Sequence, residues 1–254
     1  MYNHFDYMLI RHAYDDPSYI DGKNDTDLTA EGIDMAQKRA GPLSKQLGEL
    51  NTVIPIYSSA KKRTIQTAEI IAEQLNKDGV PYTFNPDKNI NELYQGKMLI
   101  DGLAHDDKAA LMHHAWIAFN TERAAGNYNY RFGQPHPLLL REFVDIPYGE
   151  THNEYALRVV QSFKNYIHSK GTPLIVLHGG GIGQMLNLTK VLNANAGMSV
   201  EKANQLRKEK FHRKIDFCEV FSGRLDNIQT SLNLLGEYIN ILQTDITHAN
   251  NRSK

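Results

Sequence analysis

The apolar run Leu174-Ile175-Val176-Leu177, followed at once by His178-Gly179-Gly180-Gly181, constrains this 254-residue chain more than any other stretch. A short, unbroken apolar segment that ends in glycine reads as a strand buried on both faces. The helical pattern that follows runs to about Asn193. A strand that turns directly into a helix is the unit of a parallel sheet flanked by helices, so the rest of the chain should alternate in the same way.

It does. Phe5 to Arg11 reads as a buried strand, and Ala13 to Asp27, rich in Asp, Asn and Gly, as a loop. Thr29 is placed to cap a helix with Glu31 in its first turn. Ile33, Ala36, Ala40, Leu43 and Leu47 form its apolar stripe, which Gly41-Pro42 should break or kink. Val53 to Tyr57 is a second strand, with Ser58-Ser59 as caps for a helix carrying Ile65, Ala68, Ile71, Ala72 and Leu75 and stopping at Gly79. Tyr82 to Phe84 fits a further strand. Residues 97–148 change character: a helix around Lys108 to Ala125 gives way to an aromatic stretch containing Gly and Pro. From His152 a helix with Tyr155, Val159, Phe163 and Ile167 on one face leads into the central strand. One or two edge strands are expected after Phe217, and a loose polar tail from Thr247 to Lys254. The expected architecture is a single α/β domain over 1–254, a three-layer αβα sandwich with a mostly parallel central sheet and a helical or loop cap insertion at about 97–148.

Composition narrows the function. With 41% apolar and 22% charged residues the chain sits near the globular average. The 28 Lys and Arg nearly balance 29 Asp and Glu, which argues against gripping nucleic acid by bulk charge. The basic run Arg207 to Lys214 reads as a solvated helix face. A single cysteine, Cys218, precludes an intrachain disulfide and a Cys-rich zinc site. The amino end lacks the pattern of a signal peptide, and no segment approaches a membrane span of about 18 apolar residues. A cytoplasmic protein is expected, with no membrane partner, no cofactor and no metal. A homodimer stays open.

Polar residues fall just past the carboxyl ends of three strands: Arg11-His12, the segment Ser58 to Arg63, and His178. Ligands of open α/β sheets bind at that edge, beside helix amino ends that favour anions. Two arginines and two histidines meeting there would suit a phosphoryl group, which the planar fork of arginine can grip through two oxygens.

The order and wording of these segments resemble the histidine phosphatase superfamily, with its phosphoglycerate-mutase-like fold. The matching segments are Leu9-Ile10-Arg11-His12-Ala13, Leu28-Thr29 with Gly32, and Tyr57-Ser58-Ser59-Ala60-Lys61-Lys62-Arg63-Thr64-Ile65-Gln66-Thr67-Ala68. They continue with Asn91-Glu92-Leu93 and Gly96, Gly149-Glu150-Thr151 with Arg158-Val159, and Leu177-His178-Gly179-Gly180. The resemblance implies that His12 takes the phosphoryl group as a phosphohistidine, that Arg11, Arg63 and His178 surround its oxygens beside Gly179, and that Glu92 protonates the leaving oxygen. Asp15, Asp16 and Glu150 are alternatives for that acid. Two positions depart from the pattern: Ala13 stands where many members have glycine, which would be strained if φ were positive, and Ala60 replaces a common acidic residue.

The implied activity is a metal-independent phosphomonoesterase acting on a small phosphorylated metabolite. A phosphoglycerate-mutase-like phosphotransferase is the alternative within the fold, although Ala13 to Asp27 does not resemble a mutase's Trp- and Asn-containing loop. A catalytically silent phosphate-binding protein is the alternative outside enzymes. Specificity is expected from the insertion, where His105, His113, His114, Trp116, Tyr128, Tyr130, Arg131, His136 and Arg141 are candidates.

Overall fold

The structure, a computed structural model, describes residues 5–15, 25–93, 105–132, 134, 136, 149–194, 197–208 and 215–252. Asp16, Arg141, most of 133–148 and the basic residues 209–214 lie outside the described residues, as does part of the loop before Asp27.

Among the described residues five strands form one sheet: β1 Tyr7–Arg11, β2 Ile54–Ser59, β3 Tyr82–Asp87, β4 Leu174–Leu177 and β5 Val220–Gly223, in the order β3-β2-β4-β1-β5. All neighbours are parallel except β5, which runs antiparallel to β1 at the edge. Among the described residues seven helices accompany the sheet: α1 Ala30–Gly48, α2 Lys62–Lys77, α3 His105–Ala124, α4 His152–His168, α5 Gly179–Asn193, α6 Val200–Lys208 and α7 Ile228–Arg252. The expected αβα sandwich with a mostly parallel sheet is what forms.

Strand alternation sorts the core into two layers. Met8 and Ile10 of β1, Ile54 and Ile56 of β2, and Leu174 and Val176 of β4 pack against α1 and α2. Tyr7 and Leu9 with Ile175 and Leu177 face the opposite layer, built on Phe119, Phe163, Leu188 and Leu235. Continuing that alternation puts Arg11 on the second face, at the carboxyl end of its strand.

Several local expectations need correction. Pro42 sits inside α1 without ending it. Pro42 and Lys38 are both exposed, so the carbonyl that loses its bond to the missing N–H can turn to water. Ile33 lies off the apolar stripe and is 41% exposed. Ser58 and Ser59 belong to β2 rather than to a cap, and α2 begins after Lys61 without any side-chain cap. The tail from Thr247 to Arg252 continues α7, whose buried face ends at Leu242. Among the described residues no helix is long and apolar enough to cross a membrane.

Candidate active site

Because β1, β2 and β4 are parallel and adjacent, their carboxyl ends bring Arg11, Ser59 and His178 to one edge. Leu177 pairs with Arg11, and the His12 amide donates to the Leu177 carbonyl at 3.0 Å. His178 is the N-cap of α5 but its side chain bonds none of that helix's amides, so the first amides of the helix, at Gly179 and Gly180, open onto the same edge.

His12 is buried and its Nδ1 lies 2.8 Å from the Ala13 carbonyl. A carbonyl can only accept, so Nδ1 carries the proton and Nε2 keeps the lone pair. Burial, then Arg63 and Arg11, pull the imidazole pKa down to about 3. His12 is therefore neutral, the state that attacks phosphorus. Ala13 adopts no positive φ, so alanine replaces glycine there without strain. Its amide donates to Thr67 Oγ1 at 3.0 Å, and Thr67 donates to the Arg63 carbonyl at 2.7 Å, which ties the His12 loop to α2. Gly32 explains its own place in the pattern, because a Cβ there would sit 1.9 Å from the Tyr14 carbonyl oxygen.

Arg63 is buried in the first turn of α2, where a cation needs anionic company. It has two carboxylates: Nη2 donates to Glu92 Oε2 at 2.7 Å, and Nε lies 3.5 Å from Asp15 Oδ2. Arg11 lies over the Phe217 ring at 3.9 Å and donates through Nη1 to the Ile215 carbonyl. Its Nε is buried and has no hydrogen-bond partner among the described residues.

His178 meets Ser59 at 2.9 Å through Nε2, and Ser59 donates to Asn91 Oδ1 at 2.8 Å. One hydroxyl proton cannot serve both, so His178 donates from Nε2 and its Nδ1 faces Arg63 Nη2 at 3.4 Å. Burial first, and then His12, Arg63, Lys61 and Arg11, hold His178 well below the usual histidine range. A phosphate dianion would reverse that balance of charges and favour a proton on Nδ1.

Glu92 is held from its backbone. Ile90 and Leu93 on either side are buried, and Asn91 Oδ1 also accepts from the Ala60 amide at 2.8 Å. Arg158 of α4 donates to the carbonyls of Asn89, Asn91 and Glu92 at 2.8, 2.7 and 2.9 Å. Its remaining donors meet Glu150 at 2.6 and 2.7 Å. Glu150 is thus committed to Arg158 and does not stand in for the acid. Asp15 is the carboxylate that does reach the site, accepting from Thr26 at 2.8 Å and lying 4.0 Å from His12 Nδ1.

The sequence-stated set Arg11, His12, Arg63, Glu92, His178 and Gly179 converges. Sequence reasoning missed the parts played by Ser59, Asn91, Arg158 and Phe217. Arg158 and Glu150 were visible as motif residues, and only their target was hidden. Of the insertion residues, His113 and His114 are exposed, Tyr128 and Tyr130 are buried, Arg131 pairs with Glu154, and His136 with Glu122. Trp116 lines a cavity that begins at Arg11 and Glu92. Among the described residues no group of three or more His, Cys, Asp or Glu side chains is placed to hold a metal ion.

Comparison with known proteins places this geometry in context. A model of the histidine phosphatase superfamily (branch 1) matches residues 7–205. Phosphoglycerate mutase-like protein 4 of Arabidopsis thaliana is 29% identical over 119 residues, 46% of this chain and 47% of that protein, so the match spans about half of the relative's length. Native mycobacterial glucosyl-3-phosphoglycerate phosphatase shares the fold, with a TM-score of 0.54 and 18% identity over 88% of this chain and 93% of that one. Its complex with VO3 matches at a TM-score of 0.52 and 19% identity, over 84% and 88%.

Proposed function

This chain belongs to the histidine phosphatase superfamily, branch 1, and on that footing we propose that it is a metal-independent phosphomonoesterase working through a phosphohistidine at His12. The observation that carries the reading is His12 itself: buried, neutral, fixed through Nδ1 to a carbonyl, and flanked by Arg11, Arg63 and His178.

In the first step Nε2 of His12 attacks phosphorus and the bond from phosphorus to the leaving oxygen breaks. Glu92 gives its proton to that oxygen, which leaves as the alcohol. In the second step water attacks the phosphohistidine, its proton goes to the Glu92 carboxylate, and the P–N bond breaks to release phosphate. Arg11, Arg63, the α5 amides and a protonated His178 stabilise the oxygens in both steps, so their fixed donors supply the charge compensation the transfer needs. Arg63 would exchange Glu92 for phosphate on binding. Glu92, freed from Arg63, then stands beside the leaving oxygen as the proton donor.

The test is turnover of p-nitrophenyl phosphate in EDTA by wild type and by His12→Ala. Wild-type hydrolysis with the variant at background supports the reading, and undiminished turnover by His12→Ala would overturn it. Transfer of the phosphoryl group to a second hydroxyl, in preference to release as phosphate, would indicate a mutase.

A further inference from the structure

Beside the phosphoryl pocket lies a chamber of about 490 Å³, within the size range that takes a small organic ligand. It shares Arg11, Glu92, Gly179 and Gly180 with that pocket and runs between the helices of the second layer. Its walls include the rings of Trp116, Phe119, Tyr155 and Tyr238 with Leu188 and Leu206, and Arg123, His152 and Gln184 also line it.

Five buried side-chain N and O atoms have no hydrogen-bond partner among the described residues, and three of them, Arg11 Nε, His152 Nε2 and Gln184 Oε1, belong to this chamber. The His152 ring stacks on Phe119 at 3.8 Å, and its Nε2 is buried without a hydrogen-bond partner among the described residues. With the ring neutral and Nε2 its bare nitrogen, that atom is an acceptor. Burial and Arg123 lower the His152 pKa to about 3, which keeps it one at neutral pH. Gln184 Oε1 is a second acceptor. Buried acceptors of this kind favour a ligand that brings donors.

The geometry points to this chamber as the seat of the alcohol portion of the substrate, and to that alcohol as a ring-bearing molecule with an N–H or O–H donor. The inference rests on the phosphomonoesterase reading. An oxygen protonated by Glu92 lies on the side of phosphorus away from His12, and Glu92 lines the chamber, so the leaving alcohol extends into it. Aromatic walls suit a flat ring. A polyol would set many of its hydroxyls against the apolar part of these walls.

A matched series of alkyl phosphates separates these features: propyl phosphate, 2-phenylethyl phosphate and 2-(4-hydroxyphenyl)ethyl phosphate, with p-nitrophenyl phosphate as a generic substrate. The expected kcat/KM rises about tenfold or more with the ring and about tenfold again with the hydroxyl. His152→Phe should bring the ratio of hydroxylated to plain ring compound toward one, and Ala156→Met, which fills the chamber, should erase the preference of ring over propyl. Hydrolysis of p-nitrophenyl phosphate with equal rates on the three alkyl phosphates overturns the inference alone. A ring preference without a hydroxyl preference overturns its donor requirement. No hydrolysis of any compound overturns the phosphomonoesterase reading beneath it.

Discussion

Arg63 Nη2 donates to Glu92 Oε2 at 2.7 Å and lies 3.4 Å from His178 Nδ1, in the space where the proposed function puts a phosphoryl group. The same guanidinium therefore faces the proposed acid before substrate arrives and the phosphate afterwards. Glu92→Gln removes a competing anion from Arg63. It should tighten competitive inhibition by inorganic phosphate while lowering kcat/KM on alkyl phosphates by about 10²–10⁴-fold. The kcat/KM of p-nitrophenyl phosphate, which reports the first step alone and whose leaving group needs little protonation, should fall far less, whereas kcat falls on both because water activation is shared. Steady-state kinetics with phosphate as inhibitor measures these effects, and equal losses of kcat/KM on the two substrate types would assign Glu92 another role.

Arg158 is a positioning residue. It fixes three carbonyls around Glu92 and is itself braced by Glu150. Arg158→Lys cannot reproduce that fan of donors. The expected loss is roughly 10–100-fold in kcat on alkyl phosphates, since small misplacements at a reacting centre carry costs of that order. The loss should steepen as the leaving-group pKa rises. A loss independent of the leaving group would mean that Arg158 serves only the fold.

Gly32→Ala places a methyl group against the Tyr14 backbone carbonyl, an atom that cannot swing aside. The Thr29 amide also donates to that carbonyl, at 3.1 Å, so the loop carrying His12 has to shift. Chemical denaturation should show a loss of more than about 2 kcal/mol. A variant of wild-type stability would refute the close approach.

Legibility in the sequence followed the strength of local patterning. The run Leu174–Leu177 and the glycines behind it are directly legible, because four consecutive apolar residues, all buried, end at once in a helix start. Arg11, His12 and His178 could be placed at the edge because strands announce their ends. Ser59 was misread as a cap, since a serine before a helix has the same local appearance whether its hydroxyl bonds a helix amide or a histidine 119 residues away. The sequence suggests a loose tail from Thr247 because residues 247–252 of α7 lie beyond the last buried position, Leu242, and show little apolar periodicity. The clamp of Arg158 on 89–92 is a long-range contact of backbone atoms, which no side-chain pattern encodes.

Stability should fall in acid. Burial depresses the pKa of His12 and His152 to about 3 and that of His178 in the same direction. Below about pH 6.5 the unfolded chain therefore binds more protons at these sites than the folded one, down to about pH 3 for His12 and His152. Their contribution is intact above pH 6.5 and declines as pH falls, by about 1.4 kcal/mol per pH unit for each histidine. Urea unfolding at pH 7 and 5.5 should show this loss, with a shallower pH slope in His12→Gln. An unchanged slope would contradict a neutral, buried His12.

The most direct test is to quench the enzyme during turnover of radiolabelled phosphomonoester and locate the trapped phosphoryl group. The account predicts an acid-labile, base-stable phosphoenzyme whose label maps to His12 and is absent from His12→Ala. An acid-stable label, or one that persists without His12, would contradict it.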